Sequence, residues 1–100
     1  MLDKFQELIN DEKPVLIDFF ATWCGPCQAM APVLEQVKEE IGDQARVVKI
    51  DVDKFGQIAQ EYQISSVPTF MIFKKGEAVW RHSGTAPKSE LVKLLQANAG

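Results

Sequence analysis

The chain changes its hydrophobic period abruptly, and the point of change limits what it can fold into. "VLIDFF", Val15 to Phe20, is β-rich and almost unbroken, as a strand covered on both faces should be. Beyond the turn at Cys24–Cys27, apolar positions recur at helical spacing through Met30, Val33, Leu34, Val37 and Ile41, with Gly42 placed to cap that helix. "RVVKID", Arg46 to Asp51, then reads as a second strand. A strand, a helix and a strand in this order predict a parallel, right-handed crossover, which needs helices on both faces of its sheet.

The remaining segments extend the pattern. Leu2, Phe5, Leu8 and Ile9 form one face of a helix that Pro14 follows, and Phe55, Ile58, Ala59 and Tyr62 mark a short one. "TFMIFK" and "EAVWRH" read as strands joined by a Lys75-Gly76 hairpin turn. Pro87 fits the first turn of a last helix with a buried stripe of Leu91, Leu94 and Leu95. Pro32 falls inside the long helix, so a kink is expected there. The predicted order is αβαβαββα, an α/β fold in one domain over residues 1–100, since a chain this short has room for a single core.

Composition narrows the function classes. Eleven basic against 14 acidic residues give a net charge of −3 without a basic cluster, which argues against nucleic acid. No apolar run is long enough to span a bilayer, and the N-terminal residues lack a signal-peptide pattern. Two cysteines and one histidine are too few for a disulfide-stapled secreted miniprotein, so a reducing cytoplasm is the expected location; a trimmed export signal is the alternative.

Both cysteines lie in "ATWCGPCQAMAP", where Cys24 and Cys27 flank Gly25 and Pro26. As a structural staple the pair closes so short a loop that chain entropy returns only about 2 kcal/mol. As a zinc site it supplies two of four ligands, with His82 the sole further nitrogen donor. As inert core it conflicts with Gly-Pro, which is surface turn chemistry. Its position favours reactivity. Cys24 falls at the mouth of a helix, where unpaired N–H groups and the macrodipole favour a thiolate and lower the thiol pKa from about 8.5. Cys27, one turn on, is expected to be the more buried partner.

"WCGPC", preceded by "DFFAT" and followed by Pro32, resembles the redox site of the thioredoxin family. The likeness extends to "VPT" at Val67–Thr69, "KID" at Lys49, "FKKGE" and Gly84. The resemblance implies a thioredoxin fold, with a central four-stranded mixed sheet flanked by four helices. It lacks the family's usual first strand, which leaves "RVVKID" at an edge that Arg46 and Lys49 help protect. Phe20 stands where many members carry tryptophan.

The resemblance further implies a protein disulfide reductase with no cofactor beyond its cysteines. Cys24 is then the nucleophile, Cys27 the resolving thiol and Cys24–Cys27 the redox disulfide. Asp18 is the proton acceptor and Lys49 tunes it; edge protection is the competing role for Lys49. Trp23, Gly25, Pro26, Val67, a cis Pro68 and Gly84 form an apolar patch for the client. The implied partners are disulfide-containing proteins and a thioredoxin-reductase-type flavoenzyme, with the chain itself a monomer. The rivals are a non-catalytic binding module on the same fold and a periplasmic thiol reductase. Asp18 also carries an argument of its own: a carboxyl interrupting an apolar strand loses water, which raises its pKa toward neutrality. Trp80 and His82 are expected to be structural.

Overall fold

The computed structural model describes residues 2–100. Its elements follow the predicted order: α1 (Leu2–Ile9), β1 (Val15–Phe20), α2 (Gly25–Ile41), β2 (Arg46–Asp51), α3 (Gly56–Glu61), β3 (Thr69–Lys74), β4 (Glu77–Ser83) and α4 (Lys88–Ala97). A short 3-10 turn at Gly42–Gln44 links α2 to β2. The four strands stand in the order β2-β1-β3-β4. β1 pairs β2 in parallel and β3 antiparallel, so the sheet is mixed and "RVVKID" is an edge.

β1 explains why the sheet holds together. Val15, Leu16, Ile17 and Phe19 are fully buried, each such side chain contributing roughly 1.5–3 kcal/mol. Alternation sorts them by face. Leu16 joins Met30, Leu34, Leu91 and Leu95 under α2 and α4, while Val15, Ile17 and Phe19 join Phe5 and Ile58 under α1 and α3. Phe5 closes the second core edge-on against Phe73, their ring centroids 5.9 Å apart.

Local chemistry sets the ends of the elements. Gly42, at φ 57°, terminates α2 and returns its N–H to the Lys38 carbonyl. Lys75 and Gly76 both adopt positive φ, as a two-residue hairpin turn requires. α2 runs as one helix with Pro32 inside it. Two expectations are corrected. Pro87 is the N-cap of α4 and lies before its first turn. In α4 it is Val92 that is buried beside Leu91 and Leu95, with Leu94 at the margin.

Candidate functional site

β1 ends where the cysteine loop begins, and the loop ends where α2 starts. Cys24 has extended backbone (φ −89°, ψ 113°) and is the N-cap of α2; its Sγ accepts the Cys27 N–H at 3.1 Å. Pro26 in the first turn costs no helix bond, because the N–H it lacks would have gone unpaired there. The two sulfurs form a disulfide, with the Cα atoms 5.2 Å apart. Cys24 Sγ lies 3.7 Å from the Val67 carbonyl oxygen, and the Val67–Pro68 bond is cis.

The expected contrast in burial between the sulfurs is not seen. Cys24 is 4% and Cys27 6% exposed. In the disulfide the two sulfurs are bonded to each other, and Val67 packs against the pair. The asymmetry lies in the backbone instead: Cys24 caps the helix, and Cys27 lies inside it.

The predicted patch is brought together only in part. Trp23 is 71% exposed, and Gly25 and Pro26 are exposed beside it. Val67 and Gly84 are half-buried, while Pro68 is buried. The Pro68 carbonyl accepts the Gly84 N–H at 2.8 Å, which ties the two loops together. Gly84 sits at φ 98°, yet an added Cβ would meet nothing within 4 Å. Gly84→Ala is therefore expected to destabilise the fold by about 1 kcal/mol through backbone strain alone, which urea midpoints at unchanged slope would report.

Asp18 is 1% exposed, and its Oδ1 has no hydrogen-bond partner among the described residues. Burial pushes its pKa up to about 6, and the charge of Lys49 draws it partly back. Lys49 is its register partner on β2; the Lys49 ammonium itself sits 4.6 Å over the Phe20 ring and is exposed. A hollow of about 280 Å³ reaches both Lys49 and Cys27, with Phe20 on its wall. The hollow thus joins the inner cysteine and the lysine, while the carboxyl lies buried across the β1–β2 register from that lysine. A sulfur pair at a helix mouth, beside an ionisable group held out of water, can exchange disulfides and move the accompanying proton.

Sequence reasoning missed what holds Trp23. Its indole N–H donates to Asp53 Oδ2 at 2.9 Å. The Asp51 carboxylate accepts from the backbone N–H groups of Asp53 and Lys54 and so shapes that loop. The signal was the Asp-Val-Asp run ending β2, since aspartate at a strand end caps the following turn. Trp80, expected in the core, is half-buried at its margin and stacks on His82 with ring centroids 5.7 Å apart.

With this geometry in view, the chain belongs to the thioredoxin family: the family model named Thioredoxin matches residues 1–97. It is 50% identical over 94 residues to chloroplastic thioredoxin Y of Oryza sativa subsp. japonica, covering 93% of this chain and 56% of that protein's length. It is 53% identical over 89 residues to a thioredoxin-like protein of Synechocystis, covering 89% of this chain and 85% of the relative. Among solved structures, oxidized mitochondrial thioredoxin 3 of Saccharomyces cerevisiae superposes with a TM-score of 0.85 at 38% identity, covering 96% and 89% of the two chains.

These relatives overturn the cytoplasmic expectation. The rice protein and the similar thioredoxins Y1 and Y2 of Arabidopsis thaliana are chloroplastic. A folded domain's charge and cysteine count suit any reducing compartment, so they carry no address.

Proposed function

We propose that residues 1–100 act as one protein disulfide reductase domain. The observation that carries this reading is the Cys24–Cys27 disulfide at the N-terminus of α2, with the Asp18 carboxyl buried and unpartnered in the adjoining strand. In the reduced protein, Cys24 thiolate attacks one sulfur of a client disulfide. The client S–S bond breaks, a mixed disulfide forms, and the first client sulfur leaves as a thiolate. Asp18 takes the proton of Cys27, whose thiolate attacks Cys24 Sγ. The second client sulfur then leaves and is protonated. Two electrons have passed to the client, and the Cys24–Cys27 bond has formed.

Lys49 keeps Asp18 from remaining protonated, through the charge interaction that lowers its pKa. The client backbone lies against Val67 and Gly84, with Trp23 and Pro26 offering apolar surface beside the sulfurs. The clients are disulfide-containing proteins, and a thioredoxin-reductase-type flavoenzyme returns the electrons. Support for that partner comes from the bifunctional thioredoxin reductase/thioredoxin of Mycobacterium leprae, which is 44% identical over 91% of this chain. No metal or organic cofactor enters the reaction.

The direction of electron flow follows from the residues between the cysteines. Gly25 and Pro26 bring no charge that would hold Cys24 as a thiolate in the way a strong oxidant requires. Equilibration of the chain with a glutathione buffer is expected to give a potential more negative than about −250 mV. A value near about −120 mV, where strong disulfide oxidants lie, would overturn the reductase reading.

A further inference from the structure

α3 ends in an unusual way for its sequence. It stops at Tyr62, and the next residue, Gln63, sits at φ 53°. The Gln63 N–H donates to the Gln60 carbonyl at 3.1 Å and the Ile64 N–H to the Ala59 carbonyl at 2.9 Å. This closing pattern usually places glycine in the left-handed position. Gln63 holds that position with a Cβ, against a backbone preference that glycine does not have. α3 also has no basic residue in its last turn to meet its outward carbonyls.

The missing cation comes from another element. Arg81 lies on β4 opposite Met71, on the sheet face that packs under α1 and α3. Its guanidinium donates through Nη1 to the Tyr62 carbonyl at 2.6 Å and through Nη2 to the Gln63 carbonyl at 2.8 Å. Among the described residues no carboxylate pairs with it, so both terminal nitrogens serve these two carbonyls. A planar fork spread over neighbouring carbonyls fixes their direction, which a single ammonium cannot do.

The segment that leaves this clamp is one wall of the cysteine site. Residues 64–67 line a hollow of about 140 Å³ together with Trp23 and Val52. Val67 puts its carbonyl oxygen 3.7 Å from Cys24 Sγ. The far end of the segment is already tied: Thr69 Oγ1 donates to the Ser66 carbonyl at 2.7 Å, and the Gly84 N–H donates to the Pro68 carbonyl. Arg81 holds the near end. Ser65 and Ser66, between the two anchors, are exposed. The direction in which the chain leaves α3 therefore decides where this wall stands.

We propose that Arg81 is a positioning residue for client binding: its clamp on the end of α3 orders residues 64–67 before a client disulfide docks against them. The inference rests on the reductase reading and gives Arg81 no part in the chemistry, since Cys24 is held separately at the start of α2. Without the clamp the segment has more conformations, and a client must narrow them when it binds. Affinity then falls while the exchange step keeps its rate.

The test mixes the reduced chain with insulin, a protein disulfide, and with dithiobis(nitrobenzoate), a small one, and follows thiol loss in single turnovers at rising concentration. Arg81→Ala is expected to raise the half-saturating insulin concentration about tenfold, with the limiting rate and the rate on the small disulfide each within about twofold of the parent. Arg81→Lys, with one donor head, should recover part of the loss. Amide exchange at Gln63 and Ile64 is expected to quicken about tenfold in Arg81→Ala, while Ile17 in β1 exchanges as in the parent. A second variant separates positioning from stability. Gln63→Gly, added to Arg81→Ala, relieves the left-handed position and is expected to return the urea midpoint toward the parent without returning the insulin half-saturation. Unchanged insulin saturation in Arg81→Ala, an equal loss with both disulfides, or full recovery in the double variant would overturn the proposal. A parent chain that reduces neither disulfide would overturn the reductase reading and the proposal with it.

Discussion

Cys27→Ser is expected to arrest the reaction halfway. The variant keeps Cys24 at the mouth of α2 and therefore keeps the first exchange. It has no inner thiol to release the client, so a covalent adduct should accumulate in one-to-one proportion and survive denaturation without reductant. Cys24→Ser should form no adduct, because the Cys27 N–H then donates to a hydroxyl and no sulfur stands at the helix mouth. Both substitutions are expected to lower turnover by about 10³-fold or more, as removal of a covalent nucleophile or its partner does in enzymes whose groups act as a unit. Mass spectrometry of the trapped species distinguishes them. An adduct on Cys24→Ser with none on Cys27→Ser would reverse the assigned roles. A binding module that merely retains the fold would keep its partner in both variants.

Asp18→Ala is the second large effect, and its sign depends on pH. The folded-state pKa of Asp18 is raised from 3.8 to about 6 by burial, so the folded protein holds its proton more tightly than the unfolded chain. Below the unfolded value both states are protonated and nothing is lost. As pH rises through the interval the unfolded chain releases the proton first, and stability falls until the folded carboxyl also ionises. The full penalty, about 3 kcal/mol, is present above the folded value. The gain of Asp18→Ala over the parent is therefore expected to be about 3 kcal/mol larger at pH 8 than at pH 3.5, whatever constant cost the smaller side chain brings. Urea unfolding at the two pH values measures it. The same variant should resolve the mixed disulfide more slowly above pH 7, since Cys27 has lost its proton acceptor. A gain that does not change with pH would mean that Asp18 is ionised alike in both states.

The parts of this protein legible in its sequence are those where one physical rule dominates. The almost unbroken apolar run of β1 reads as a strand covered on both faces, and β1 lies inside the sheet. The positive φ of Lys75 and Gly76 followed from a two-residue hairpin, and the placement of Cys24 at a helix start followed from the change of period. Asp18 was legible because a lone carboxyl in such a run has nowhere to meet water.

What escaped the sequence depends on three-dimensional partners. Equal burial of the sulfurs arises from the disulfide and from Val67, which is distant in the chain. Pro68 was assigned to a surface patch and is buried, while Val67 stays at the margin. The Trp23–Asp53 bond joins two loops that only the parallel pairing of β1 with β2 brings side by side. The hollow beside Lys49 is equally a product of packing, with Phe20 forming its wall.

The redox account comes down to unequal chemistry in two sulfurs that are equally covered while bonded to each other. The direct measurement is the alkylation rate of each thiol in the fully reduced chain at pH 7, with modified peptides quantified separately over time. Cys24 is expected to react at least about tenfold faster than Cys27, through its place at the positive end of α2. Equal rates, or a faster Cys27, would contradict the account.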